Sequence, residues 1–225
     1  MPAWRVHLHA CDKVAPVLGL NQDRLDVFKF GSLFPDMALY KFIGEDIHDC
    51  KWRLHCYYQT VGMAVAVSDY EEFYEKLVSD YGEDYKKSAF LTGVLFHLVM
   101  DGVFNEASNS ITEIHDKTRY IVRTHYGIDA IKASYEEYVQ AKFHDIDAFA
   151  RTLNYNGISA KDMPNKVYEE IEYIVGKHID TVPNMLKIIE DNTDKLSHGT
   201  NIMFTVIQYH ELVDKSIKLF MNLIK

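Results

Sequence analysis

A histidine and an aspartate stand four residues apart in an otherwise apolar part of the chain. They are His97 and Asp101, in the run Phe90-Leu-Thr-Gly-Val-Leu-Phe-His97-Leu-Val-Met-Asp101-Gly-Val-Phe-Asn105. Residues at i and i+4 share one face of an α-helix. An ionised carboxylate is strongly disfavoured in an apolar environment unless a partner offsets its charge. The pair therefore indicates either a divalent metal site or a core histidine hydrogen-bonded to a core aspartate.

The spacing alone does not identify a site. Eleven histidines and 33 acidic residues in 225 positions give a few such pairs by chance, and the chain has three: His97/Asp101, His125/Asp129 and His210/Asp214. Only the first pair is surrounded by Leu and Val on most sides, which is typical of a buried helix. The apolar neighbours, and not the spacing, make this pair the candidate.

A second candidate lies in the segment Gly31-Ser-Leu-Phe-Pro-Asp36. Pro35 has a fixed φ and stiffens the segment, and Leu33 and Phe34 are expected to anchor it against the core. A carboxylate held in one place suits a metal ligand, so Asp36 is a candidate. Pro-Asp is also an ordinary turn dipeptide.

Helical periodicity dominates the elements that must position these residues. We expect a first helix at 3–18 that ends near Gly19, then a structured loop at 19–45 with one short helical turn. Further helices are expected at 46–67, 68–80, 83–107, 110–127, 129–153, 162–178, 180–192 and 200–224. No convincing alternating strand appears, so we predict an all-α, single-domain multi-helix bundle over residues 1–225.

Composition limits the function and the location. Cys11, Cys50 and Cys56 form no zinc-finger or CxxC spacing and are read as reduced thiols. The chain starts without a secretory pattern and has no apolar run of membrane-spanning length, so we expect a cytoplasmic protein without a transmembrane segment. A net charge of −9 argues against stable nucleic-acid binding, although it permits a small phosphorylated substrate.

Four features in this order resemble the zinc-dependent phospholipase C family, whose fold is shared by the mould single-strand nucleases. They are His7 in the first helix, the Gly31-Ser-Leu-Phe-Pro-Asp36 segment, a histidine in the next helix, and Gly93-x-x-x-His97-x-x-x-Asp101. The resemblance covers roughly residues 2–107. It implies an all-α domain whose one to three zinc ions hydrolyse a small phosphoester or a phospholipid.

The resemblance also implies a ligand set. Asp36, a histidine of the second helix, His97 and Asp101 would surround one zinc, and Asp101 would bridge to a second ion bound by His7. This mix of ligands suits zinc or another first-row divalent metal. Asp36 and Asp101 are the candidate catalytic residues. The second-helix ligand is His55 or His48, and we favour His55, which has the more apolar flank and a following aromatic pair.

The chain departs from the family in two respects. The secreted phospholipases use the amino group of a processed N-terminal Trp as a zinc ligand, and no signal is present whose removal would expose Trp4. The family's remaining zinc uses two histidines and a carboxylate, for which His115, His125 and Asp129 are candidates at altered intervals. The His-Asp doublets at 48–49, 115–116 and 144–145, a feature of His-Asp phosphohydrolases, lie among polar residues and are expected at the surface.

Two functions therefore remain open. The first is a metal-dependent phosphoester hydrolase. The second is a non-catalytic helical protein that retains a metal for stability or partner binding. A closed four-ligand site favours the second, because catalytic zinc keeps an exchangeable position.

Overall fold

The computed structural model describes residues 3–37, 57–60, 63–66, 70–115, 119–123, 130–176, 179–196, 199 and 203–225. In this part of the chain eight α-helices form the framework, so the predicted all-α class is confirmed. They are α1 (Trp4–Leu18), α2 (Gln22–Met37), α3 (Tyr70–Tyr81), α4 (Ala89–Ser110), α5 (Tyr135–Ala150), α6 (Asn165–Val175), α7 (Val182–Asn192) and α8 (Val206–Leu223). A 3-10 helix, Gly82–Lys87, precedes α4.

Helix α4 is the central helix that the sequence predicts, with bounds shifted toward the C-terminus. It begins after Ser88, whose hydroxyl oxygen accepts a hydrogen bond from the Leu91 backbone N–H at 3.0 Å. Apolar side chains cover it on several sides. Phe96 lies between Phe28 of α2 and Phe220 of α8, with ring centroids 5.5 and 4.9 Å away. A polar side chain in the middle of α4 therefore faces another helix and not water.

Helix α2 replaces the loop that the sequence predicts at 19–45, and that prediction is wrong for the described residues. The break is confined to the residues around Gly19, which ends α1 in the left-handed conformation at φ 63°. Pro35 lies in the last turn of α2, so the backbone hydrogen bond that it removes is lost only where the helix is about to end at Met37.

Two glycines explain why α2 and α4 cross so closely. A Cβ atom on Gly31 would overlap the backbone carbonyl of Phe90, and one on Gly93 would overlap the carbonyl of Phe28. Both glycines are helical, and their missing side chains let the two backbones touch. Gly31 is thus a packing position and not the helix break that its residue type indicates. The close approach brings the end of α2 next to the middle of α4.

The described residues also contain five short strands, which the sequence does not predict, beside the helical framework. Strands β1 (Tyr57–Thr60) and β2 (Met63–Ala66) pair antiparallel where a helix at 46–67 is predicted. Strands β3 (Thr112–His115), β4 (Arg119–Arg123) and β5 (Ala130–Ala133) form a three-stranded antiparallel sheet. The sheet replaces the helix predicted at 110–127 and the start of the one at 129–153. The run Arg119-Tyr-Ile-Val-Arg123 is rich in aromatic and β-branched residues, which favour strands.

The remaining helices agree with prediction except at their ends. The helices predicted at 68–80, 129–153, 162–178, 180–192 and 200–224 correspond to α3, α5, α6, α7 and α8. Within the described ranges no single helix has the length and apolar character of a membrane span. Within these ranges the length and apolar composition of a span are reached only by two helical segments taken together, Tyr70–Lys87 and Ala89–Ser110, which meet at a bend of 116°. The second member of that pair is the buried core helix α4.

Candidate metal centre

His7 brings the first polar ring into the core. It lies on the buried face of α1 with Cys11 and Val14, and its side chain is fully buried. Its imidazole stacks on that of His97 from α4, with ring centroids 4.3 Å apart and planes inclined by 9°. The first helix thus delivers an imidazole to the middle of the central helix.

Asp36 reaches the same place from the last turn of α2. Its side chain is 5% exposed, and its Oδ1 lies 3.9 Å from Nε2 of His97. The other oxygen, Oδ2, accepts a hydrogen bond from the Trp4 indole N–H at 3.1 Å. Trp4 therefore fixes the orientation of the Asp36 carboxylate.

The hydrogen bond at Nδ1 decides which nitrogen of His97 is available as a ligand. Nδ1 lies 2.7 Å from the backbone carbonyl oxygen of Ser32. Because a carbonyl oxygen only accepts, Nδ1 carries the hydrogen in this contact and Nε2 of the neutral ring keeps its lone pair. Metal-binding histidines commonly have this arrangement, in which a carbonyl fixes the tautomer and the ring. Nε2 faces the carboxylates of Asp36 and Asp101.

Asp101 presents its two oxygens to two different rings. Oδ2 lies 3.5 Å from Nε2 of His97, one turn earlier on α4, and Oδ1 lies 3.8 Å from Nε2 of His7. Both oxygens belong to a fully buried side chain. A carboxylate shared in this way suits a bridge between two cations.

The donor set fits zinc. Donor atoms of His7, His97 and Asp101 all lie within 4.8 Å of one another. Two ligands of a tetrahedral zinc, each about 2.0–2.2 Å from the ion, are about 3.4 Å apart. The distance of 3.5 Å between His97 and Asp101 matches this value, and those of 3.8 and 3.9 Å need only a small contraction. Imidazole and carboxylate are ligands that zinc commonly uses.

The electrostatic environment also favours a cation. Burial lowers the pKa of His97, but the carboxylates of Asp101 and Asp36 and the contact with Ser32 outweigh burial, so the pKa lies above its ordinary value. A site that attracts a proton to a fully buried imidazole attracts a divalent cation for the same reason. Proton and metal compete for His97.

Other predicted ligands lie outside the described residues. His55, its rival His48, and His125 and Asp129 are in this group. His115 is the last residue of β3, whose backbone alone is described. The described residues bring together four predicted ligands: His7, Asp36, His97 and Asp101.

The doublet His144-Asp145 departs from the surface position expected for it. His144 is exposed, but Asp145 is fully buried. Its carboxylate accepts hydrogen bonds from the backbone N–H of Met203 and from the Tyr209 hydroxyl, at 2.9 and 2.7 Å. Asp145 therefore has a structural role in holding the start of α8.

Sequence reasoning missed the residues that orient the ligands. Nothing in the sequence marks Trp4 as a partner of Asp36, yet its indole N–H donates a hydrogen bond to that carboxylate. Ser32 acts through its backbone carbonyl, for which the residue type gives no signal. Both positions follow from the packing of α1, α2 and α4.

The chain matches the model of a known protein family. The family model described as "Zinc dependent phospholipase C" matches residues 6–172, well over half of the chain and beyond the range of the sequence resemblance. The four predicted ligands that the structure brings together all lie inside this range. Neither the search of curated proteins nor the search of solved structures found a match.

Proposed function

Because the chain belongs to the zinc-dependent phospholipase C family, we propose that it is a metal-dependent phosphoester hydrolase that acts on phosphodiesters, with phospholipids as the first class to test. One observation carries the proposal, the convergence of His7, Asp36, His97 and Asp101 from three helices in a buried cluster. Two imidazoles and two carboxylates in the core are costly to bury unless a cation offsets their charge.

These four residues would hold the metal. When bound, zinc supplies Lewis acidity toward a phosphoryl oxygen and allows water to act as a nucleophile near neutral pH. The chain fixes the donors in place: the Ser32 carbonyl sets the tautomer of His97, and the Trp4 indole orients Asp36. Pre-set donors in a dry site cost no reorganisation during the reaction.

Asp101 and Asp36 are the proposed catalytic residues. Asp101 faces His7 with one oxygen and His97 with the other, so it is placed to bridge two ions. A carboxylate oxygen has two lone pairs, so Asp36 can serve as a ligand and also orient the attacking water.

The number of ions remains part of the proposal. Two ions that shared Asp101 would use all four described candidate ligands, and His55 would complete the ligands of the ion at His97. A third ion would need His115, His125 and Asp129, which stay predictions. The cytoplasmic location also stays a prediction.

A non-catalytic protein with a structural metal is the alternative, and the burial of the site favours it. The side chains of His7, His97 and Asp101 have no exposed surface and that of Asp36 has 5%. A closed site of this kind is typical of structural zinc, whereas catalytic zinc keeps an open position.

Elemental analysis and hydrolysis assays separate these functions. The hydrolase proposal predicts at least one zinc or replacing first-row metal per chain, and zinc-dependent release of nitrophenol from bis(4-nitrophenyl) phosphate. Phosphatidylcholine vesicles assayed for a released phosphomonoester test the lipid class. Metal-replete protein that cleaves neither substrate would support the structural alternative, and a metal-free protein whose melting temperature does not respond to zinc would contradict both.

A further inference from the structure

A lysine from α5 lies beside the face of α4 that carries the candidate ligands. Lys142 donates a hydrogen bond from Nζ to the side-chain oxygen of Asn105, at 2.7 Å. Asn105 is 7% exposed, one helical turn beyond Asp101 and two turns beyond His97. The Lys142 ammonium group is therefore adjacent to the row formed by His97, Asp101 and Asn105.

The charge of Lys142 is balanced differently from that of Lys215, another lysine beside α4. Lys215 of α8 contacts the Glu106 carboxylate at 2.8 Å, and both side chains are exposed. In the described part of the chain Lys142 forms no ion pair with a carboxylate, and its hydrogen bond to Asn105 reaches a neutral amide. An amide oxygen orients an ammonium group but does not neutralise it.

Asp101 is close enough to act on this charge. Burial lowers the pKa of Lys142 to about 8, and the Asp101 carboxylate opposes that change. Lys142 as a whole residue is nevertheless only part-buried. If the negative charge of Asp101 is partly neutralised by a bound cation, less of it remains to offset the positive charge of the Lys142 ammonium group. An anion at the metal centre would restore the missing negative charge.

We propose that Lys142 is a substrate-binding residue that donates a hydrogen bond to an anionic phosphoryl oxygen held at the metal centre. The inference rests on the proposed hydrolase function and names the class of ligand, phosphodiester and phosphomonoester anions. Ammonium groups form short, charge-assisted hydrogen bonds with phosphate oxygens. A neutral ester can accept the same hydrogen bond but lacks the attraction between opposite charges. Asn105 is the positioning residue that aims the ammonium group.

The test compares Lys142→Met, Lys142→Arg and Lys215→Met in zinc-loaded protein. Inorganic phosphate is the probe, with its affinity measured by calorimetry and zinc measured by elemental analysis. Losing a hydrogen bond between charged groups weakens binding by about ten- to a hundredfold, which is the loss expected for Lys142→Met. Lys142→Arg keeps most of the affinity, and Lys215→Met keeps all of it because Lys215 pairs with Glu106.

Zinc content separates substrate binding from a structural role. Lys142→Met is expected to keep its zinc, because a cation near Asp101 has been removed and not a ligand. Wild-type phosphate affinity in zinc-replete Lys142→Met would overturn the inference, as would joint loss of zinc and phosphate or a wild type that does not bind phosphate. Phosphate binding that depends on Lys142, without any turnover, would reject the hydrolase function but keep Lys142 as an anion-binding residue. Turnover together with phosphate binding that does not depend on Lys142 would keep the hydrolase function and reject the role of Lys142.

Discussion

His7 and His97 stack face to face in the core, with ring centroids 4.3 Å apart and planes inclined by only 9°. Their Nε2 atoms lie 3.8 and 3.5 Å from opposite oxygens of one carboxylate, that of Asp101. Two protonated imidazoles at this distance would repel each other. A metal cation that took the place of the proton on His97 would remove this repulsion.

The contact between α2 and α4 should be essential to this geometry. Gly93→Ala would place a methyl group against the Phe28 carbonyl, and overpacking of this kind costs about 1–3 kcal/mol. Since α2 carries Asp36 and α4 carries His97, zinc affinity is expected to fall together with stability. Denaturant unfolding and zinc titration measure the two effects.

Gly157→Ala is the matched control. Nothing lies within 4 Å of a Cβ at Gly157, so the same change there is expected to alter stability by less than about 0.5 kcal/mol. Equal stability of the two variants would show that the helices do not cross as described.

The Trp4 indole is expected to support metal binding without being a ligand. Trp4→Phe keeps an aromatic ring, although a smaller one, and removes the N–H that donates to Asp36. Loss of a group that orients a metal ligand commonly weakens metal binding about ten- to a hundredfold. Competition with a chromophoric chelator measures the change.

Tyr168→Phe provides the control for that measurement. It removes the Tyr168 hydroxyl, which donates a hydrogen bond to the exposed Asp162 carboxylate and not to a candidate ligand. Its zinc affinity is expected to equal that of the wild type. If Trp4→Phe also binds zinc as the wild type does, Trp4 has no part in the site.

The four candidate ligands that lie together in the core could be named from the sequence. His97 and Asp101 share a helix face in an apolar run, and the order of His7 and Asp36 before them resembles a family pattern. Helix α2 could not be predicted, because Gly31 and Pro35 usually break helices. Here Gly31 serves a backbone contact with Phe90, which only the packed structure shows.

Long-range contacts account for other misses. Lys142 and Asn105 meet across α5 and α4, and no spacing in the sequence connects them. Asp145 has polar neighbours in sequence but is buried by Tyr209 and the start of α8. Strands β3, β4 and β5 are formed by β-branched and aromatic residues whose short runs also fit a helix.

The pKa of Lys142 predicts a pH-dependent difference in stability. In the unfolded chain Lys142 has the ordinary lysine pKa of 10.5. In the folded protein burial, opposed by Asp101, lowers the pKa of Lys142 to about 8. Between these values the unfolded state binds more protons, so stability rises with pH relative to a protein that lacks the group. Unfolding free energies of metal-free wild type and Lys142→Met, measured across this interval, should diverge in favour of wild type. A constant difference would contradict the lowered pKa.

The second-helix ligand is tested by comparing His55→Ala with His48→Ala. We predict that zinc occupancy falls much more in the His55 variant, since His55 has the more apolar neighbours in the sequence. Elemental analysis after dialysis measures the occupancy. Loss only in the His48 variant would reverse the assignment, and retention in both would remove the second helix from the site.

Asp101 provides the most direct test, because the proposed mechanism needs its charge between His7 and His97. Asp101→Asn keeps the shape and one oxygen but weakens the bridge between two cations. Asp214→Asn is the control, since Asp214 follows His210 at the same spacing but is 63% exposed and pairs with Lys13. The measurement is zinc per chain together with the rate of phosphodiester hydrolysis in all three proteins. We predict that Asp101→Asn stays helical, loses zinc and loses more than about 100-fold in rate, while Asp214→Asn matches the wild type. Wild-type turnover in a homogeneous, zinc-replete Asp101→Asn sample would contradict the mechanism.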